Sequence, residues 1–301
     1  MAAPHNHDHG HHHHAGSNIK LAFFLNLSFA LLELFGGAWI NSVAILSDAL
    51  HDLGDSLALG LAWYFEKLSV RGRDLKYTFG YKRFSLLGAV INAVILLAGS
   101  VLILSEAIPR VWQPEQVNAT GMIGFAVLGI LVNGAAVLKL KDNSLNERVV
   151  RLHLLEDVLG WVAVLVGGII LYFFDFPIID PLLSIGISVY VIYNAFKNLR
   201  ASMNILLQAA PIEVNLTIVQ QKLEELPAIQ SIHDLHIWTL DGTTHILTLH
   251  AIVDKDVSLL EAESIKQQIR DRLSDLQINH VTLELEIPGQ PCSQQQCPAE
   301  V

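Results

Sequence analysis

Two histidine–aspartate pairs, His51 with Asp55 and His153 with Asp157, stand in a chain that is otherwise strongly apolar. Each pair is four residues apart, so on a helix both side chains fall on one face. Two imidazoles and two carboxylates make a complete tetrahedral set for a borderline-soft divalent cation such as zinc. One pair alone reads equally well as polar glue between helices; two identical pairs on separate segments favour metal ligation. The stretch around the first pair, "SDALHDLGDSLALG", also carries Asp48 and Asp52. Asp48 shares the His51 side of the helix and could orient its imidazole. Asp52 points about 100° away and pairs elsewhere or caps a polar cavity. Glu33 and Asn133, further polar groups in apolar runs, read as interhelical hydrogen-bond partners.

The segments that must position these groups read as membrane spans. Hydrophobic residues make up 52% of the 301, and charged residues only 16%, well below the roughly one quarter usual in soluble domains. Apolar runs cover residues 19–40, 43–65, 86–108, 122–140, 149–174 and 178–196. Each approaches the ~20 residues that a helix needs to cross a bilayer, which predicts a six-helix transmembrane bundle. Ser144 with Glu147 is a capping-box pattern that starts the fifth helix near Leu145. His153 then lies about 12 Å into that helix, and Asp55 about 17 Å from the far end of its own, so the pairs can meet near mid-membrane.

Loop charges set the orientation. Lys67, Arg71, Arg73, Lys76, Lys82 and Arg83 follow the second run; Lys139, Lys141, Arg148 and Arg151 flank the fourth and fifth; Lys197 and Arg200 close the sixth. The opposite loops hold almost none. Basic loops stay cytoplasmic, so both termini are expected in the cytoplasm and the protein in the inner (cytoplasmic) membrane. The N-terminus has no secretory pattern.

Composition changes near Ala209. "IQSIHDLHIWTL" and "THILTLHAIV" read as strands joined by Asp241-Gly242, a two-residue hairpin signal. Ser258 with Glu261 opens an amphipathic helix, and "HVTLELEI" alternates as a third strand. The resulting order, α-β-β-α-β, describes a small α+β domain. The chain thus divides into a His-rich tail (1–17), the bundle (18–206), the α+β domain (207–288) and a terminal segment with Cys292 and Cys297 (289–301). Seven of the 14 histidines fall in "HNHDHGHHHH", a tract too polar to fold and able to hold metal loosely. The two cysteines read as thiols in a reducing compartment, free to ligate or inert.

A two-residue turn at Asp241-Gly242 places His233 opposite His250, about 5 Å apart between Cβ atoms. On the last strand His280, Thr282, Glu284 and Glu286 share the polar face. A second metal site is therefore expected from His233, His250 and one of His280, Glu284 or Glu286, with Glu286 favoured. His236 and His245 fall on the opposite face, in packed or interface positions.

The paired H-x-x-x-D motifs, "YTFGYKRF" (Tyr77 to Phe84) and "HDLHIW" (His233 to Trp238) together resemble the cation diffusion facilitator family, over nearly the whole chain from Ile19 to Pro288. The resemblance implies a homodimeric exporter of divalent cations, usually zinc, in exchange for protons, with His51, Asp55, His153 and Asp157 as transport site. It also implies a metallochaperone-like tail that contributes to dimerisation. Some members hold metal in the loop after the second span through Asp and His; here that stretch reads Asp74, Tyr77, Tyr81, and the loop site is expected to be absent. His51, where certain members have Asp, resembles the zinc-preferring branch.

The function expected is proton-coupled zinc efflux, with zinc as cargo and as regulatory ion on the tail, and no nucleic-acid partner. An intramembrane zinc enzyme is the rival, but four ligands leave no open position for water and H-E-x-x-H is missing. A membrane metal sensor is the third reading.

Overall fold

A computed structural model describes residues 15–139, 145–274, 276 and 278–289. The His-rich stretch 1–14, Ser144, Cys292 and Cys297 lie outside the described residues, as does the side chain of His153. Two compact units form: residues 1–67 with 88–199, and residues 68–87 with 200–301.

The first unit is built from long helices: α1 (Ala15–Ile40), α2 (Val43–Ser69), α3 (Phe84–Trp112), α4 (Ala119–Lys139), α5 (Leu145–Phe174) and α6 (Ile179–Leu206). Five of them hold a stretch long and apolar enough to cross a membrane. The exception is α2, 27 residues long, which Asp48, Asp52 and Asp55 interrupt. Large apolar side chains such as Trp39, Leu102, Leu131 and Phe174 are exposed, as lipid-facing surfaces require. Inside, Ile40, Ala44 and Ile45 pack with Met122 and Ala126 of α4 and Trp161, Val164 and Leu171 of α5. A smaller cluster joins Leu96 of α3 to Val191 and Ala195 of α6.

The turn from α1 to α2 is held from two sides. Asn41 takes a left-handed conformation (φ 59°), and Arg110 Nη1 donates to its backbone oxygen at 3.2 Å and to its Oδ1 at 3.0 Å. Asp180, fully buried at the start of α6, accepts from Ser42 Oγ at 2.5 Å, Val43 N at 2.8 Å and Ala44 N at 3.3 Å. A carboxylate from one helix therefore caps the positive end of another.

The second unit contains α7 (Leu216–Glu224), β1 (Ser231–Thr239), β2 (His245–Ile252), α8 (Leu259–Ser274) and β3 (Ile278–Glu286). Asn215 caps α7, and the capping box forms: Ser258 N donates to Glu261 Oε2 at 2.8 Å and Glu261 N to Ser258 Oγ at 3.3 Å. The sheet order is β1-β2-β3. β1 and β2 are antiparallel, and β3 lies parallel to β2 after the α8 crossover. Ile237, Leu247, Leu249 and Ala251 face Leu223, Ile265 and Ile269 in the core, with Val281, Leu283 and Leu285 packed beside them.

The hairpin differs from expectation. Leu240 N bonds to Thr244 O at 2.9 Å, so three residues, Asp241 to Thr243, make the turn. The Asp241 carboxylate accepts from Thr243 N at 2.9 Å and Thr244 N at 2.7 Å, an Asx turn that Gly242 closes at φ 93°. This shifts the pairing by one residue: His236 faces Thr248 and Trp238 faces Ile246. A bulge between His233 and His236, with Asp234 at φ 49°, shifts it back, and His233 faces His250 after all.

Candidate metal centres

On α2, His51 Nε2 lies 3.8 Å from Asp55 Oδ2, and both side chains are about a quarter exposed or less (22% and 25%). One helical turn sets this spacing, as the sequence motif requires. The pair lines a cavity of about 300 Å³ whose other walls come from α3, α5 and α6. Asp48 is buried and faces α5: its Oδ1 lies 3.9 Å from where a Cβ at Gly160 would stand. The charges of His51, Asp157 and Asp55 all act on it. Asp157, three residues before Gly160, therefore belongs to the α5 surface turned toward α2.

Two interhelical expectations are corrected. Asn133 Nδ2 donates to Gly129 O of its own helix at 3.2 Å, since the carbonyl one turn back is its nearest acceptor. Glu33 is fully buried, yet neither oxygen has a hydrogen-bond partner among the described residues; Asp52, Asp48 and Asp157 are the acids within electrostatic reach.

In the tail, three strands bring three candidate ligands together. His233, His250 and Glu286 each offer an atom, all within 4.8 Å of one another. His250 Nδ1 is 2.9 Å from Glu286 Oε1, and His233 Nε2 is 3.4 Å from Glu286 Oε2. His233 Nε2 is buried and has no aligned hydrogen bond. Such a nitrogen beside a carboxylate suits a divalent transition metal, and the donor set fits one. Glu286 is 12% exposed and Glu284 64%, the latter reaching only His250, at 3.4 Å. His280 instead stacks on Phe79, ring centroids 5.7 Å apart.

His236 also departs from expectation. The Asp234 bulge turns it to the ligand face, with Nε2 2.9 Å from Asp234 Oδ1, while Asp234 Oδ2 lies 3.8 Å from His250 Nε2. The signal available was an Asp inside a β segment, where that residue is disfavoured. His245 is buried opposite Thr239, in a packed position. Asp74, in the α2–α3 loop, accepts from Tyr81 OH at 2.5 Å and from Tyr77 N at 2.7 Å. The Tyr81 bond, with that from Tyr77, holds its carboxyl below the usual range and pushes the Tyr81 hydroxyl up.

Sequence reasoning missed the rest of the cavity lining: Asn92, Glu156, Tyr190, Asn194 and Lys197. The spacing of Tyr190, Asn194 and Asn198 at one-turn intervals on α6 was the available signal.

A family model for the cation efflux transmembrane domain matches residues 19–207, and one for the cytoplasmic domain of cation efflux proteins matches residues 211–287. The cadmium, cobalt and zinc/H(+)-K(+) antiporter of Bacillus velezensis is 36% identical over 95% of this chain and 92% of its own length. The metal cation efflux system protein CzcD of Cupriavidus metallidurans is 35% identical, over 98% and 92%. The zinc transporter ZitB of Escherichia coli is 32% identical, over 99% and 96%. With both halves matched in order, the chain belongs to the cation diffusion facilitator family of divalent-cation efflux proteins, which are ion transporters and not enzymes.

Proposed function

We propose that this chain is a proton-coupled antiporter that exports zinc, and related divalent transition-metal cations, from the cytoplasm. The observation that carries this reading is the opening of the His51–Asp55 pair onto a polar cavity inside an apolar helical unit. Ionisable groups at such depth are costly and mark ion pathways. His51, Asp55, His153 and Asp157 are the transport ligands. Each must be deprotonated to bind metal, so cation and protons compete for the same atoms. Facing the cytoplasm, the site takes zinc and gives up protons; facing outward, protons displace zinc as the helices rock.

All six helices cross the inner membrane in this reading, α2 with its acids turned inward, and both termini are cytoplasmic. The transport domain covers residues 18–206. Residues 207–288 form a homodimer and hold a regulatory zinc on His233, His250 and Glu286, while the tracts 1–17 and 289–301 flank them. Zinc-driven proton flux in sealed vesicles tests the proposal, with wild type beside Asp157→Ala. Flux dependent on both the zinc and proton gradients in wild type, lost in the variant, supports it. Wild-type flux in Asp157→Ala overturns the ligand assignment.

A further inference from the structure

The cavity beside His51 and Asp55 has walls that the transport ligands do not account for. Asn92 comes from α3, Glu156 from α5, and Tyr190, Asn194 and Lys197 from α6. Tyr190 and Asn194 are one helical turn apart, and the Tyr190 hydroxyl has Asn194 and Glu156 as polar neighbours. Asn92 differs from these. Its Oδ1 is buried and has no hydrogen-bond partner among the described residues.

A side-chain amide kept as interhelical glue uses its carbonyl as well as its NH2. Leaving a buried acceptor unfilled is costly. Asn92 lines the same cavity as an imidazole and a carboxylate, those of His51 and Asp55, and a small turn of its amide gives the carbonyl another use there: it can take a cation or the water that a cation carries. Amide and carboxylate oxygens are hard ligands suited to ions that keep part of their hydration shell. The lining holds two carboxylates, Asp55 and Glu156, against one ammonium, Lys197, so the cavity favours a cation.

We propose that Asn92 is a cation-positioning residue of the transport cycle: its Oδ1 holds a partly hydrated divalent cation in this cavity before the ion exchanges water for His51 and Asp55. The proposal rests on reading those two residues as transport ligands. Loss of one neutral oxygen contact is worth about 0.5–1.5 kcal/mol, which converts to at most about tenfold in affinity.

Zinc flux of the full chain in proteoliposomes decides it. Asn92→Leu is expected to raise KM by about five- to tenfold while lowering the maximal rate far less. Asn92→Asp, which keeps an oxygen at that place, is expected to recover most of the loss. A wild-type KM in Asn92→Leu overturns the proposal, the amide then holding only a structural water. Asn92→Asp as impaired as Asn92→Leu also overturns it, because packing would then explain both. If the leucine variant does not accumulate, Asn92→Ala carries the same comparison. Asp55→Ala in parallel separates the two readings: normal flux there removes the transport-ligand assignment itself, whatever Asn92 does.

Discussion

The helical site and the strand site recruit the same donors, imidazole and carboxylate, by rules of unequal robustness. On α2 a spacing of four residues is enough, because every turn of a helix repeats the same geometry; a one-residue insertion elsewhere leaves His51 above Asp55. In the tail, His233 meets His250 only because two one-residue departures cancel: the turn gains a residue at Asp241–Thr243 and the strand gains one at Asp234. Since side chains alternate across a strand, either departure alone turns an imidazole to the wrong face. The helical pair tolerates change in its surroundings, whereas the strand pair depends on a turn some ten residues away.

The largest expected effect breaks the helical side. Asp55→Ala or Asp157→Ala should reduce zinc flux in proteoliposomes by more than the roughly 10–100-fold that loss of a ligand's outer hydrogen-bond partner costs, in protein that still runs as a folded oligomer on gel filtration. His233→Ala/His250→Ala comes next. Calorimetric titration of the purified full chain with zinc should lose one class of sites, while vesicle flux at saturating zinc persists. Inserting one alanine after Asp234 sharpens the comparison: a second, uncompensated extra residue moves His233 off His250 and should abolish that same class, whereas Asp234→Gly should keep it with a stability change within about 1 kcal/mol, since glycine adopts the left-handed conformation freely. An insertion that left tail binding unchanged would show that strand register does not set the site.

Asp180→Ala is expected to matter less for binding than for stability. It leaves the Ser42 hydroxyl and the Val43 and Ala44 amides without their acceptor, a loss of about 2–3 kcal/mol, readable as a lowered Tm in detergent, with Asp180→Asn recovering part. The smallest effect belongs to Asp241. Partial burial works against its charge, but the Thr243 and Thr244 amides and Lys82 outweigh this and hold its carboxyl below the usual range. Its folded pKa being depressed, its contribution is present above the unfolded value near 4 and is lost as pH falls through the folded one. Asp241→Asn should therefore cost less than about 1 kcal/mol at neutral pH, and the difference from wild type should vanish below that window.

How much of this was legible in the residues follows the same divide. The His51–Asp55 juxtaposition, the Ser258–Glu261 cap and the α-β-β-α-β order could be read because each rests on local spacing. The tail triad was reached through a two-residue turn that does not exist, and His236 was consequently placed on the wrong face. The backbone choice at Asp234 depends on how the sheet packs on α7 and α8, which no local pattern records. Asn92 was invisible for another reason: a lone amide in an apolar run acquires meaning only when three other helices close around it.

The clamp on the α1–α2 turn makes α2 a lever. Its short arm is fixed where Asp180 and Arg110 grip residues 41–44, and its 27 residues extend about 40 Å from that fulcrum. A tilt of about 10° moves Asp55, about 18 Å along, by only about 3 Å, but displaces the far end by about 7 Å. A small shift at His51 and Asp55 is thus magnified at Ser69, and a small push at Ser69 arrives at that pair geared down and with greater force.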